Sequence, residues 1–506
     1  MATRMTNPLK HFALILALTS FTLFCGCFGL ADEPDEYIQV TGLFDIHTNF
    51  SDGAHSLDYL IKLAEKRGIS VLFVSDHPRV TIEYGLRPFQ NILKKRVDRP
   101  SINKGGAANF LNMIQNASKN HPEMILIPGA EAASFYYWRG SFFKKNLTVC
   151  DWERHLLIVG LTEPKDYEEL PILHNSSSRY YARPPISAGL FLLLIPFLAG
   201  LYLLKKPGIL RYFGVMIIIF SLLLIINKYF FKNPPYDQYH GPQGTSPYQL
   251  LIDDLNSRGG MIFWNHPETK SGQGKLGPIF KETLPYPRLL LESRDYTGFS
   301  ALYGDTITLT EPGNIWDQVL TEYCLELRKK PVWGISTADF HKEGEAGEKL
   351  GNFPTVFLVK NKTKDDILDS LRNGRMYSYC GDIATPRLAL EEFSISAPGN
   401  SHKEFMGGEI ISEGYPRIKI RVSVEGGEQE NLLTLRLIRF GKLIKTFSNQ
   451  SLLDIDFTDE FFEPGKKIYY RLDLNDKRNR TIVSNPIFVK FQASRNTKSQ
   501  ASEAID

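Results

Sequence analysis

"LFDIHTNFSDG", residues 43–53, gathers two aspartates, a histidine, a threonine, a serine and a glycine directly after the apolar-leaning "YIQVTG". It is either a polar turn or the end of a first strand that carries metal ligands, and its neighbours decide between the two. "SLDYLIKLAEKRG" follows, with Ser56 as an N-cap, Leu57, Leu60, Ile61 and Ala64 on one face, and Gly68 past the end. Next comes a buried strand, "SVLFVSDH". Further strand candidates are "MILIPGAE" and "HLLIVG", then "GGMIFWNHPE", "LLLES" and "PVWGISTADFH". Helical patterns separate them. "SPYQLLIDDLNSRGG" starts with Ser246 and Pro247, and "TKDDILDSLRNG" runs from Thr363 to Gly374. Strands that alternate with helices predict an α/β fold with a parallel sheet, closed at this length into a barrel.

Most of these strands end in His, Asp or Glu: His47, His77, Glu131, His266, Asp339 and His341, with His155 opening "HLLIVG". In a parallel α/β barrel such ends converge on one face. A single histidine there would be an ordinary buried or loop residue, but seven such positions in a chain with 11 histidines call for a metal cluster. Imidazole and carboxylate without thiolate suit Zn, Mn or Fe.

The order of motifs resembles the PHP (polymerase and histidinol phosphatase) domain family. "HTNFSDG", "FVSDH", "IPGAE" with "HLLIVG", "FWNHP" and "ISTADFH" carry the likeness, which ends in "LRNGRMYS". The resemblance implies a distorted (β/α)7 barrel over residues 38–384, two or three divalent metal ions, and hydrolysis of a phosphate ester. It implicates Asp45, His47, Asp52, His77, Glu131, His155, His266, Asp339 and His341 as metal ligands, with Glu131 as the bridging carboxylate. Asp76 would orient the His77 region. Glu131, Asp52 and Asp76 are thus the candidate catalytic residues, and Arg79 and Arg375 could clamp the substrate phosphate. The family usually writes its first motif H-x-H-T-x-x-S-D-G. Registering on "HT" and "SDG" puts Asp45 at the first histidine position. The other register makes His47 the first histidine and Asn49 the replacement for the second. The first is preferred because it needs no deletion before "SDG".

Two segments break the globular pattern. Residues 1–31 read as a signal peptide or N-terminal anchor: Arg4 and Lys10 precede an apolar run, and Gly29-Leu30-Ala31 forms a small-x-small site. Ile186–Leu204 and Tyr212–Phe231 are each close to the roughly 20 apolar residues a membrane span needs, so residues 186–231 predict a transmembrane hairpin inserted in the barrel. Lys205, Lys206 and Arg211 between the spans favour the cytoplasmic side, which puts the flanking domains outside, in the periplasm or extracellular space.

From 385 to 491 apolar and polar residues alternate between turn signals, predicting a small all-β sandwich, and 492–506 reads as a disordered tail. With 59 Lys+Arg against 56 Asp+Glu the net charge is +3, so no nucleic-acid partner is expected. Outside the leader only Cys150, Cys324 and Cys380 remain, enough for at most one disulfide. The expected partners are a phosphate-ester substrate and a membrane; the substrate's identity and the oligomeric state stay open. The competing function is a metal-binding sensory or scaffold membrane protein without turnover.

Overall fold

Seven strands close on themselves in the computed structural model, which describes residues 37–270, 272–305, 307–344, 349–382, 385–399, 402–425, 432–450 and 452–493. The expected leader lies outside the described residues, as does all but the start of the expected tail. The strands are β1 (Ile38–Ile46), β2 (Val71–Val74), β3 (Ile125–Ala133), β4 (His155–Val159), β5 (Met261–Trp264), β6 (Gly298–Leu302) and β7 (Trp333–Phe340). They pair in chain order, and β7 returns to β1 with Phe44 opposite Thr337, which makes a mixed α/β fold with a barrel-like sheet. Inside it Phe44 stacks on Phe73, ring centroids 3.9 Å apart.

The sheet is not wholly parallel. β4 runs antiparallel to both β3 and β5, with His155 opposite Ala133 and Leu156 opposite Trp264. The reversal explains why His155 opens its strand while the other site residues close theirs: the start of β4 lies at the barrel end where β3 finishes. "LLLES" is also different from expectation. Leu289–Glu292 forms one helical turn, and the strand is the following Gly298–Leu302. A three-residue apolar run has no period that separates strand from helix.

Local signals elsewhere act as written. The Ser56 side chain accepts from Tyr59 N, and Leu57, Leu60, Ile61 and Ala64 are buried. Thr363 caps Lys364–Asn373, and Gly374 ends that helix in the left-handed region at φ 72°.

Between β4 and β5 lie two apolar helices: Ala188–Leu203, which falls inside the expected Ile186–Leu204, and Ile209–Tyr229, which starts and ends earlier than the expected Tyr212–Phe231. Ile209–Tyr229, of 21 residues, is long and apolar enough to cross a membrane; Ala188–Leu203, of 16, falls short of that length. They cross where Gly200 and Gly214 meet: a Cβ on Gly200 would lie 2.9 Å from the Gly214 carbonyl oxygen. Only glycine permits so close an approach.

The strands beyond residue 385 do not stand apart from the barrel. One four-stranded sheet is made of Leu388–Ser396, Lys403–Phe405, Arg417–Val424 and Leu452–Thr458. The other strands continue the barrel's own sheet. Thr355–Val359 lies beside β1 and pairs with Met376–Cys380, which pairs with Thr481–Ser484 and through it with Lys467–Asp476. From Gln39 onward the described chain clusters as one compact unit, with no division at 384/385. Buried polar contacts reinforce the join: Arg471 on Lys467–Asp476 forms a two-pronged ion pair, 2.7 Å on each arm, with Asp317 of the Ile315–Cys324 helix. Cys150, Cys324 and Cys380 are all free thiols.

Candidate metal centre

The first motif forms the floor of the centre. β1 is bulged between Leu43 and Ile46, with Asp45 at φ 63°, and the chain then turns sharply through residues 48–53. Gly53 is required there, because a Cβ on it would lie 2.2 Å from the His47 carbonyl oxygen. Asp76 holds the turn from below. Its carboxylate accepts from Thr48 N (3.0 Å), Thr48 Oγ1 (2.8 Å), Ser51 N (3.1 Å) and Ser51 Oγ (2.5 Å). Asp76 therefore positions the loop between His47 and Asp52, which corrects its expected role at His77. The His77 ring is set instead by the Glu131 backbone carbonyl, 2.9 Å from Nδ1.

Nine residues converge at this end of the barrel in three overlapping groups: His47, Asp52, His77 and His341; Glu131, His155 and His266; and Asp45, His47, Glu131 and Asp339. Within each group the candidate ligand atoms lie within 4.8 Å of one another. Glu131 is the hub. Its Oε1 lies 2.9 Å from His155 Nδ1 and 3.2 Å from His266 Nε2, and its Oε2 lies 3.4 Å from His47 Nε2 and 3.6 Å from His77 Nδ1. His47 belongs to two groups, 3.3 Å from Asp45 through Nε2 and 3.5 Å from Asp52 through Nδ1. Asp45, His47 and Glu131 are wholly buried, whereas Asp52, Asp339 and His341 keep 33%, 47% and 29% of their side-chain surface, so the cluster opens on their side.

The electrostatics fit a cation site. Burial opposes ionisation of Asp52, yet the His341, His47 and His77 imidazoles around it outweigh that and hold the carboxyl far below the ordinary range. Burial also opposes ionisation of Glu131, and His155, His266 and His47 together hold it well below that range. Burial, then the charge of Glu131, pushes Asp45 up. Against their own burial, His266 and His341 are raised to about 9, chiefly by hydrogen bonds to Glu131 and Asp52 respectively. Buried Glu131 Oε2, His47 Nδ1 and His266 Nδ1 make no hydrogen bond. Divalent ions bound by imidazole and carboxylate would satisfy the first two, and such ions compete with protons for these ligands.

No family model matches the chain, and no curated protein matches it. Among solved structures, the chain is similar to a two-domain protein from Bacteroides vulgatus containing a predicted PHP-like metal-dependent phosphoesterase, at 13% identity and a TM-score of 0.34, over 88% of this chain and 92% of that one. It is also similar to a candidate metal-dependent phosphoesterase from Bifidobacterium adolescentis, at 14% identity and a TM-score of 0.27, over 66% and 98% of the two chains. At such low scores neither likeness bears on the chemistry of this chain.

Of the two candidate arginines, one lies away from the centre. Arg375 follows Gly374, which packs on Trp333 at the start of β7, the end opposite to Asp339, and its guanidinium pairs with Asp369. It is thus no part of the centre. Arg79 is pulled down by burial and by the charge of Arg96, and among the described residues no hydrogen bond or ion pair joins it to the cluster. Asn265, unread in "FWNHP", is the residue that the sequence reading missed. Its Nδ2 donates to Asp45 Oδ2 (2.7 Å) and Glu131 Oε1 (2.5 Å), while its Oδ1 accepts from Ser300 Oγ (2.7 Å), which accepts in turn from Thr337. Only its place beside His266 could have pointed to it.

The geometry also bears on the two registers of the first motif, since Asp45 is buried among the candidate ligands while Asn49 is exposed. Asp45→Ala is expected to remove or weaken one metal and lower turnover by at least about tenfold, given that even outer-sphere losses cost roughly 10- to 100-fold. Asn49→Ala should be mild, and Asp45→His should keep the metal. Metal stoichiometry beside activity checks this; a damaging Asn49→Ala with a silent Asp45→Ala would reverse the register.

Proposed function

We propose that this centre binds two or three divalent metal ions, Zn, Mn or Fe, and hydrolyses a phosphate ester. The sharing of Glu131 and His47 between overlapping ligand groups carries the reading, because one carboxylate reached by four imidazoles is suited to lie between adjacent ions. Bound ions would supply charge to stabilise phosphoryl oxygens and acidify water. The chain's own residues do the rest. Asp52, Asp339 and His341 line the open side, where a phosphate group would enter. Asn265 fixes the Asp45 and Glu131 carboxylates, and Asp76 keeps the His47–Asp52 turn from relaxing when ligands are exchanged.

Elemental analysis of the full chain after loading with Mn, Zn or Fe should give at least two metals per chain, with hydrolysis of p-nitrophenyl phosphate or its diester. Less than one metal per chain would overturn the proposal. Asp45 at the usual first histidine position favours a second reading, a metal-binding sensory or scaffold protein; metals without turnover on any phosphoester would select it.

The centre is further proposed to lie at the outer face of a membrane held by the two apolar helices. In support, large apolar residues stand exposed along both helices, among them Phe191, Leu192, Ile195, Tyr212 and Met216 at 62–74%. Because His155 precedes the helices and His266 follows them, the chain must cross an even number of times. At about 1.5 Å per residue the shorter helix spans roughly 24 Å against a hydrocarbon core of about 30 Å, and its apolar flanks Ile186 and Leu204 reduce that mismatch.

A further inference from the structure

A cavity of about 1040 Å³ opens where the two apolar helices meet the barrel, and none of the nine cluster residues lines it. One wall is apolar: Leu192 and Leu193 from the first helix, Leu224 from the second, then Phe230 and Phe231. Much of the remaining lining is basic. Lys94 and Arg96 are occupied by Glu83, at 3.0 and 3.8 Å, and Asp237 is paired with His240 at 2.7 Å. Arg183, Lys228 and Lys232 also line it, and among the described residues none of these three has a carboxylate within 4.0 Å. The cavity thus holds three uncompensated cations and no uncompensated anion.

Its floor adds two observations. Gln238 is 6% exposed and lines the cavity, yet its Oε1 is buried without a hydrogen-bond partner while Nε2 donates to the Glu83 carbonyl. A buried acceptor left so calls for a donor, from a water or from a ligand group. The imidazole of His174, also in the lining, is pushed down to about 3 by burial and then by Arg96, Lys94 and Arg79, a sign of the positive field there. Cations at the end of an apolar helix pair, beside an apolar wall, match an anion that carries hydrocarbon chains.

We propose that this cavity binds an anionic phospholipid, its phosphate among Arg183, Lys228 and Lys232, a headgroup hydroxyl at Gln238 Oε1, and its acyl chains along Leu192, Leu193 and Leu224. The proposal builds on the membrane placement above. The shared chemistry with a soluble phosphate is the anion; the lipid source is distinguished by the need for chains.

The test uses the full chain in nonionic detergent, titrated with short-chain phosphatidylglycerol, short-chain phosphatidylcholine, glycerol phosphate and inorganic phosphate. Phosphatidylglycerol is expected to raise the melting temperature and to bind at least about tenfold tighter than the other three. Changing Arg183, Lys228 and Lys232 together to Ala should weaken it by roughly tenfold to a hundredfold, with the melting temperature unchanged without lipid. Leu192→Gln with Leu224→Gln should weaken the lipid and leave glycerol phosphate unaffected. Equal binding of phosphatidylcholine, or of inorganic phosphate, overturns the proposal, as does an unaffected triple variant. Flotation with phosphatidylcholine vesicles reads membrane insertion separately: a chain that fails to float but keeps the phosphatidylglycerol preference retains the cavity and loses the membrane placement.

Discussion

Glu131→Gln is expected to leave the folded chain at least one metal short and to reduce phosphoester hydrolysis by more than the roughly 10- to 100-fold that an outer hydrogen bond is worth at a metal site. The carboxylate faces four imidazoles, those of His47, His77, His155 and His266, between 2.9 and 3.6 Å. No other residue of the centre reaches so many. An amide keeps the shape but carries no charge, and it presents an N–H where a ligand oxygen is needed. Asn265→Ala serves as the graded comparison. It removes donors to both Asp45 and Glu131 without removing a ligand, so its loss should stay within that 10- to 100-fold range. Metal content per folded chain, measured beside kcat, checks both; a full complement of metal in Glu131→Gln would refute its bridging role.

Arg471→Met is expected to destabilise the chain by about 3–5 kcal/mol, the usual cost of stranding one partner of a buried ion pair. Arg471 and Asp317 are 0% and 2% exposed, and Asp317 also accepts from Tyr469 Oη and Gly313 N, each at 2.7 Å. The thioether of Met fills the stem volume but leaves that carboxylate without its cation. The double change Arg471→Met with Asp317→Leu should recover a good part of the loss, since a well-packed apolar pair can equal a buried ionic one. Denaturant unfolding reads the difference. Metal held per folded chain should not change, because neither residue belongs to the centre; a single-variant loss under about 1 kcal/mol would show that the pair behaves like a surface one.

Features that depend on a residue and its near neighbours are legible in the chain alone. Ser56 and Thr363 cap their helices through contacts three residues away, and the apolar stripe of Leu57, Leu60, Ile61 and Ala64 is a local period. His47, His77, Glu131, His266, Asp339 and His341 could be read as a set because each closes an apolar run, and strand ends of a barrel share a face whatever the loops between them do. Tertiary structure alone decided the rest. The reversal of β4 is a pairing choice between strands far apart in the chain, and it turned His155 at a strand start into a neighbour of Glu131. Asn265 acquired its place from Asp45 and Glu131, 220 and 134 residues away, which no spacing rule connects. Arg375 looked like a phosphate ligand by type, but helix packing on Trp333 carried it to the far end of the barrel. The strands after 385 alternate as a separate module would, since alternation reports only that one face is buried. What buries it, and which strand edge it extends, is set by pairing between Met376–Cys380 and Thr481–Ser484, a contact about a hundred residues long in sequence whose closing cost grows only slowly with loop length.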